Sequence, residues 1–272
     1  MPELPEVETL KRDLQKKIIH KRIVRITVTD HRVIRRPRPR QFIRRLAGKT
    51  FSNITRRGKA IVLTFTDPGY LVIQLMMTGQ LIYGKALTKA KVQFHLSDSR
   101  CLNYNDQRLF GRLHFVRDLN EIKYLQSLGP DPLMGGLRVD DLKKALAARR
   151  APIKSLLMNQ NFMAGIGNIY ASEILFGSRI HPQRPANTLA AQEIKVLSQT
   201  TASTLKEALR FRGTSLNTYR DLNGQKGKFL NRLKVYGREG EGCFQCQTPI
   251  ARIVQAGRST FFCRRCQRLE GS

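Results

Sequence analysis

Apolar residues Val7, Leu10, Leu14 and Ile18 recur at spacings of three and four, which predicts a helix over residues 5–18 with one buried face. Pro5 suits the first helical position, where its missing N–H costs nothing. From about residue 23 to 115 the period shortens. Runs such as Ile23-Val24-Arg25-Ile26-Thr27-Val28, Ala60-Ile61-Val62-Leu63-Thr64-Phe65 and Tyr70-Leu71-Val72-Ile73-Gln74-Leu75 are separated by Gly, Pro and Asp-Ser turns and read as strands of a sandwich or barrel. Residues 31–46 hold seven arginines and two prolines, which predicts a solvated loop leading to a short helix. Gly129-Pro130-Asp131-Pro132 closes the strand-rich half, and residues 139–212 carry helical periodicity. Within them, Lys154 to Phe176 reads as helix, turn, helix, with the turn at Ala164-Gly165-Ile166-Gly167-Asn168 and Asn168 suited to cap the second helix.

Charge narrows the function. The chain of 272 residues carries 49 Lys+Arg against 20 Asp+Glu, a formal charge of +29, with 41% hydrophobic residues, enough for a core. A folded surface of this sign draws polyanions, above all the phosphate backbone of nucleic acid, with ribosomal or membrane-surface binding as the rival reading. The two longest stretches without charge, 68–84 and 155–172, are interrupted by Gln, Asn, Thr and Gly, so no membrane span is expected. The N-terminus lacks a basic region and an apolar run, and a cytoplasmic protein is expected.

Candidate chemistry gathers in three places. Cys243-x2-Cys246 and Cys263-x2-Cys266 have the spacing of a closed four-thiolate zinc site, with disulfides as the alternative. Between them, Ile250–Gln255 and residues 260–262 can pair as a hairpin that carries Arg258 at its exposed tip. Cys101, alone in a strand, reads as packing. The Gly-Ile-Gly turn before Asn168 aims backbone N–H groups outward at a helix start, a ready anion site or simply a tight turn. At the N-terminus, Glu3, Glu6 and Glu8 crowd the first eight positions, and the helix dipole suffices to explain Glu8. Removal of Met1 would leave Pro2 as a secondary amine, which condenses with an aldehyde to an iminium, an electron sink for the neighbouring carbon.

Taken together, Met1-Pro2-Glu3-Leu4-Pro5-Glu6-Val7-Glu8-Thr9, the Ala164-to-Glu173 turn and helix, Val235-Tyr236-Gly237-Arg238 and the cysteine module ending Cys266-Gln267 resemble bacterial formamidopyrimidine-DNA glycosylases, also called 8-oxoguanine DNA glycosylase/AP lyases, nearly end to end. The resemblance implies an α+β fold in three parts: a catalytic β-sandwich flanked by helices over 1–132, a helix–two-turn–helix DNA-binding domain with a lesion-capping loop over 133–236, and a hairpin zinc finger over 237–272. The loop matches residues 213–229. It further implies a monomer acting on double-stranded DNA with oxidised bases or abasic sites, close to the bacterial nucleoid, with one structural Zn2+ on Cys243, Cys246, Cys263 and Cys266.

By the same resemblance, Pro2 is the nucleophile at the sugar C1′ and Glu3 supplies the proton that opens the deoxyribose. Lys59 serves damaged-base recognition and β-elimination, and Arg258 phosphate gripping and δ-elimination. Met77, Arg108 and Phe110 fill the gap left by the extruded nucleotide. Lys154, Asn168 and Tyr236 hold phosphates, and Lys89 and Arg150 fall near further DNA contacts. Departures cluster beside the gap-filling residues: Gln74 stands where the family often has His, Lys89-Ala90-Lys91 replaces His-Asp-His, and Leu109 replaces a second Arg. The competing expectations are the related endonuclease VIII type, which prefers oxidised pyrimidines and is disfavoured by the Leu4-Pro5-Glu6-Val7 continuation, and a DNA-binding protein without chemistry, disfavoured by retention of Pro2, Glu3, Lys59 and Arg258.

Overall fold

Helix α1 (Leu4–Ile18) buries Val7, Leu10, Leu14 and Ile18 completely, as its periodicity predicts. In a computed structural model that describes residues 1–134 and 138–269, this helix lies against two sheets. One holds β1 (Ile23–Val28), β6 (Gly79–Gly84), β7 (Val92–Leu96) and β8 (Cys101–Asp106) in the order β1-β7-β8-β6, all antiparallel. The other holds β2 (Ile34–Arg36), β3 (Phe51–Arg57), β4 (Ala60–Phe65), β5 (Tyr70–Gln74) and β9 (Arg112–Val116) in the order β2-β9-β5-β4-β3. Leu81, Phe94 and Leu102 of the first sheet and Ile61, Leu63 and Phe115 of the second join α1 in one apolar cluster, so the sheets form a sandwich. Each such side chain contributes about 1.5–3 kcal/mol through removal from water.

The arginine-rich stretch is more ordered than its composition predicts. Val33 and Ile34 are buried, β2 pairs in parallel with β9, and α2 (Pro39–Leu46) buries Phe42 and Leu46. Its seven arginines stay exposed, so a few apolar anchors suffice to order a segment whose other face is solvated. A short helix α3 (Lys123–Gln126) follows β9.

Two compact units emerge, the first of residues 1–126 with 209–230, the second of residues 127–208 with 231 onward. The first therefore includes a stretch that chain order groups with the helices; Tyr219 and Leu222 join the sandwich core, and Tyr83 N–H donates to Leu222 O at 2.9 Å. The second holds α4 (Val139–Ala147), α5 (Ile153–Met158), α6 (Asn168–Gly177), most of α7 (Ala191–Arg210) and the hairpin β10 (Ile250–Gln255) with β11 (Arg258–Cys263). Helix α6 is buried from Ile169 to Phe176, and Phe176 shares a cluster with Val235, Cys243, Ile250 and Cys263, so the cysteine module packs on the helices. Among the described residues, no helix is long and apolar enough to cross a membrane.

Candidate catalytic, nucleic-acid and metal sites

At the start of α1, Pro2 is buried and Glu3 is 3% exposed at the N-cap position. The Glu6 carboxylate accepts the Glu3 N–H at 2.7 Å, a reciprocal capping arrangement that explains an acid at this position. The ammonium of Met1 stands in for the amine Pro2 would present once Met1 is removed. Burial lowers its pKa, Glu3 and Glu6 oppose that shift, and Lys59 adds to it, leaving the amine easier to deprotonate than an exposed one. Glu3, Glu6 and Lys59 thus all act electrostatically on the N-terminal amine.

Lys59 sits in the two-residue turn joining β3 to β4, between the paired residues Arg57 and Ala60. Gly58 takes the first turn position with φ +55°, a conformation that suits glycine in such hairpins. Arg56, only 3% exposed, fastens the turn: its Nη1 donates to Gly58 O at 3.0 Å, and its Nε to Glu8 Oε2 at 3.0 Å. Glu8 also accepts from Lys11 and Arg12, each at 2.9 Å. Burial pushes the Glu8 pKa up, but the bonds from Lys11, Arg12 and Arg56 outweigh it and hold the carboxyl below its ordinary value. The helix dipole is therefore an incomplete account of Glu8, which ties α1 to the turn carrying Lys59. The signal for this partnership, a buried Arg opposite a helix acid, exists only in three dimensions.

The gap-filling candidates lie on two neighbouring loops of the first unit. Met77, between β5 and β6, is 43% exposed, and Phe110, between β8 and β9, is 46% exposed with the Arg108 guanidinium 4.6 Å from its ring centre. Asp106, fully buried, organises both loops: it accepts from Arg108 N–H at 3.2 Å, from Gly111 N–H at 2.7 Å and from the Thr78 hydroxyl. Sequence reading missed Asp106, whose only linear signal is an acid at a strand end. The departures divide here. Leu109, at φ +56°, packs against the sandwich core while its neighbours stay outward, and Gln74 is buried opposite Ala60 and Arg112. Lys89 is exposed and Ala90 fully buried.

In the second unit Lys154 is 1% exposed, and its ammonium donates to Asn168 Oδ1 and Thr260 Oγ1, both at 2.6 Å. Asn168 Nδ2 donates to Ser259 O at 2.9 Å and lies 3.5 Å from the Tyr236 hydroxyl. Asn168 is thus not the cap expected from sequence: Gly167 holds the N-cap position, and the Asn168 side chain, inside the first turn, binds Lys154 instead. Glu173, on the same helix and 5% exposed, accepts the N–H groups of Lys234, Val235 and Tyr236 at 2.8–3.0 Å, which fixes the segment carrying Tyr236. Burial raises its pKa against the opposing pull of those N–H bonds. Its role also escaped sequence reading. Arg258, exposed at the start of β11 opposite Gln255, lines with Lys154, Met158 and Asn159 a depression of about 230 Å³. Arg150 is exposed just before α5.

Cys243, Cys246, Cys263 and Cys266 place four sulfurs within 4.8 Å of one another, a group able to hold a metal ion. Three of the sulfur separations are 3.4, 3.5 and 3.9 Å. Four thiolates at about 2.3 Å from a tetrahedral ion stand roughly 3.8 Å apart, so the donor set fits such an ion and is too open for disulfides. Cys101 is buried in β8 with its sulfur 3.3 Å from His95 Nδ1.

A sandwich with an amine-bearing N-terminus, a helical pair around a buried lysine and a tetracysteine hairpin define a protein built in three recognisable modules. Residues 1–113 match the formamidopyrimidine-DNA glycosylase N-terminal domain, 128–220 the H2TH domain of the same enzymes, and 240–269 the zinc finger found in FPG and IleRS. A formamidopyrimidine-DNA glycosylase of Desulforamulus reducens is 41% identical over 275 residues, covering 98% of this chain and 99% of its own length. A Lactococcus lactis FPG mutant, solved in complex with DNA containing Fapy-dG, superposes with a TM-score of 0.91 at 32% identity over 98% of this chain and 100% of its own. The MutM (FPG) protein of Thermus thermophilus superposes with a TM-score of 0.89 at 35% identity, covering 98% of each chain. The chain belongs to the formamidopyrimidine-DNA glycosylase family.

Proposed function

We propose that this protein is a bifunctional DNA glycosylase/AP lyase that removes oxidised purines, 8-oxoguanine and formamidopyrimidines, from double-stranded DNA and then cuts the strand at the abasic site. The observation that carries this reading is buried Pro2 and Glu3 at the start of α1, with Lys59 of the β3–β4 turn acting electrostatically on that N-terminus.

After removal of Met1, the Pro2 nitrogen attacks C1′ of the damaged nucleotide and Glu3 delivers a proton to the ring oxygen. The C1′–base bond breaks, the base leaving with the proton shed by the Pro2 nitrogen, and the ring C1′–O bond opens, leaving an iminium between Pro2 and the opened sugar. Loss of the C2′ proton, with Lys59 as the nearby amine, expels the 3′ phosphate. A second elimination, served by Arg258 at the phosphate, expels the 5′ phosphate. Arg56 and Glu8 hold the Lys59 turn and take no part in bond making. Met77, Arg108 and Phe110 fill the space vacated by the extruded nucleotide, which offsets part of the unstacking cost of a few kcal/mol. Lys154, Asn168 and Tyr236 grip phosphates next to the lesion, with Lys89 and Arg150 as outlying contacts. One Zn2+ on the four cysteines stiffens the hairpin that presents Arg258; a closed tetrathiolate site leaves the ion no open position. Residues 1–132 together with 209–230 then serve the chemistry, the rest of 133–236 the grip and 237–272 the metal module, working on the bacterial chromosome in the cytoplasm.

The test is borohydride trapping on duplex DNA with 8-oxoguanine. The processed chain should be captured covalently, whereas a chain with Met1 retained or an N-terminal extension should not. Equal trapping of blocked and processed chains would refute the terminal amine as nucleophile.

A further inference from the structure

Arg212 adopts the left-handed backbone, φ +61°, which side chains other than glycine seldom occupy. Gly213 continues it at φ +80°, and a Cβ there would lie 2.5 Å from Glu6 Oε1. The backbone therefore runs directly against the Glu6 carboxylate, and Thr214 N–H donates to Glu6 Oε1 at 2.7 Å. Two further bonds close the neck of the segment: Lys228 N–H to Phe211 O at 2.8 Å, and Phe229 N–H to Gly213 O at 3.0 Å.

The Arg212 guanidinium acts as a fork. It binds both oxygens of Asp13 on α1, and its Nε and Nη2 donate to Asp221 Oδ2 at 2.9 and 2.7 Å. Asp221, 3% exposed, uses its other oxygen to accept the N–H groups of Asn223 and Gln225, both at 2.9 Å. Between neck and turn, the Thr218 hydroxyl donates to Met77 O at 3.1 Å. One side chain thus fastens α1 to the far turn of the segment, while the residues beside it touch Glu6.

We propose that Arg212 is a positioning residue for base excision, clamping Asp13 and Asp221 so that Gly213 and Thr214 hold Glu6, and Glu6 holds Glu3. The proposal rests on the activity assigned above. Its contribution is geometric more than energetic: the Arg212 side chain is 41% exposed, so its ion pairs are screened, and its backbone conformation is itself unfavourable. Glycine at this position would keep the backbone at ease while removing the fork. Lysine would keep the charge but lack the planar fork that spans two carboxylates.

The experiment compares wild type, R212G and R212K in single-turnover excision from 8-oxoguanine duplex, in cleavage of a preformed abasic site, and in hydrogen exchange of the Thr214, Asn223 and Gln225 amides. R212G should lose about tenfold in excision, change abasic cleavage less than about twofold, because an opened sugar no longer needs the Glu3 proton, and lose protection at those amides. R212K should fall between. Equal losses on both substrates, or unchanged protection in an active R212G chain, would overturn the clamp. A wild-type chain inert and untrapped on both DNAs would overturn the activity and this role with it, and is recognised by the missing covalent adduct.

Discussion

Arg56 and Lys154 are both buried cations, at 3% and 1% exposure, yet they are held in opposite ways. Arg56 meets the carboxylate of Glu8 and the carbonyl of Gly58, so its charge is spent inside the first unit on joining a helix to a turn. Lys154 donates to the amide oxygen of Asn168 and the hydroxyl of Thr260, contacts that join α5 to α6 and to β11. The difference teaches that burial alone does not sort basic residues in a chain of charge +29: one buried cation joins a helix to a turn through a carboxylate, the other joins two helices and a hairpin through an amide and a hydroxyl.

The largest effect should come from breaking the internal pair. R56M removes the bonds to Glu8 and Gly58 O that join the helix to the turn, while Lys11 and Arg12 still pair the Glu8 carboxylate, so it should cost about 1.5–3 kcal/mol, or on the order of 5–10 °C in melting temperature for a unit of this size. The double variant E8Q/R56M should lose little more than R56M alone, since the pair is already broken. Thermal melts of the three chains check this; an R56M protein as stable as wild type would break the comparison at its first term.

Lys154 should show its effect on DNA binding as well as on stability. K154M keeps the length but leaves Asn168 Oδ1 and the buried Thr260 hydroxyl without their donor, so stability should fall by about 1–3 kcal/mol, whereas DNA affinity should fall by about 1.5–3 kcal/mol, roughly 10- to 150-fold. The log–log salt dependence of binding should flatten by about 0.9, the share of one phosphate. Salt titrations on lesion and undamaged duplex measure both quantities, and an unchanged slope would remove Lys154 from the phosphate contacts.

Much of this was readable in the linear chain, and unevenly. The α1 periodicity, the strands at residues 23–28 and 60–65 and the cysteine spacing are local patterns, and they appear in the structure almost residue for residue. What escaped was nonlocal pairing. Glu8 with Arg56 spans 48 positions, Thr214 with Glu6 spans 208, and Glu173 reaches 61 positions onward to Lys234. No periodicity marks such partners, because a carboxylate serves any buried N–H that topology brings to it. Asn168 shows the same limit at short range: its residue type suits a cap, yet a lysine 14 residues earlier on the packed neighbouring helix takes its oxygen.

The smallest predicted effect sharpens the contrast between the units through pH. In the first unit, burial foremost, then Arg112, Arg35 and Arg36, push the pKa of His114 down to about 4, and burial and Arg25 lower His95. An unfolded histidine titrates near 6.5, so below that pH the unfolded state binds protons that the fold refuses. Stability is therefore full above about 6.5 and falls as pH drops toward 4. Glu8, depressed below its ordinary value, adds a second loss at still lower pH, where its carboxylate is protonated and the Arg56 pair is given up. The second unit balances differently. Glu173 is raised by burial, so acid favours the folded form there, against the opposite tendency of His181, which burial lowers. Hydrogen exchange between pH 6.5 and 4.5 should accordingly show protection declining sooner in residues 1–126 than in 139–208, an effect on the order of 1–2 kcal/mol. H114Q, which cannot titrate, should narrow that gap. A gap that H114Q leaves untouched would assign the acid sensitivity of the first unit to groups other than this buried imidazole.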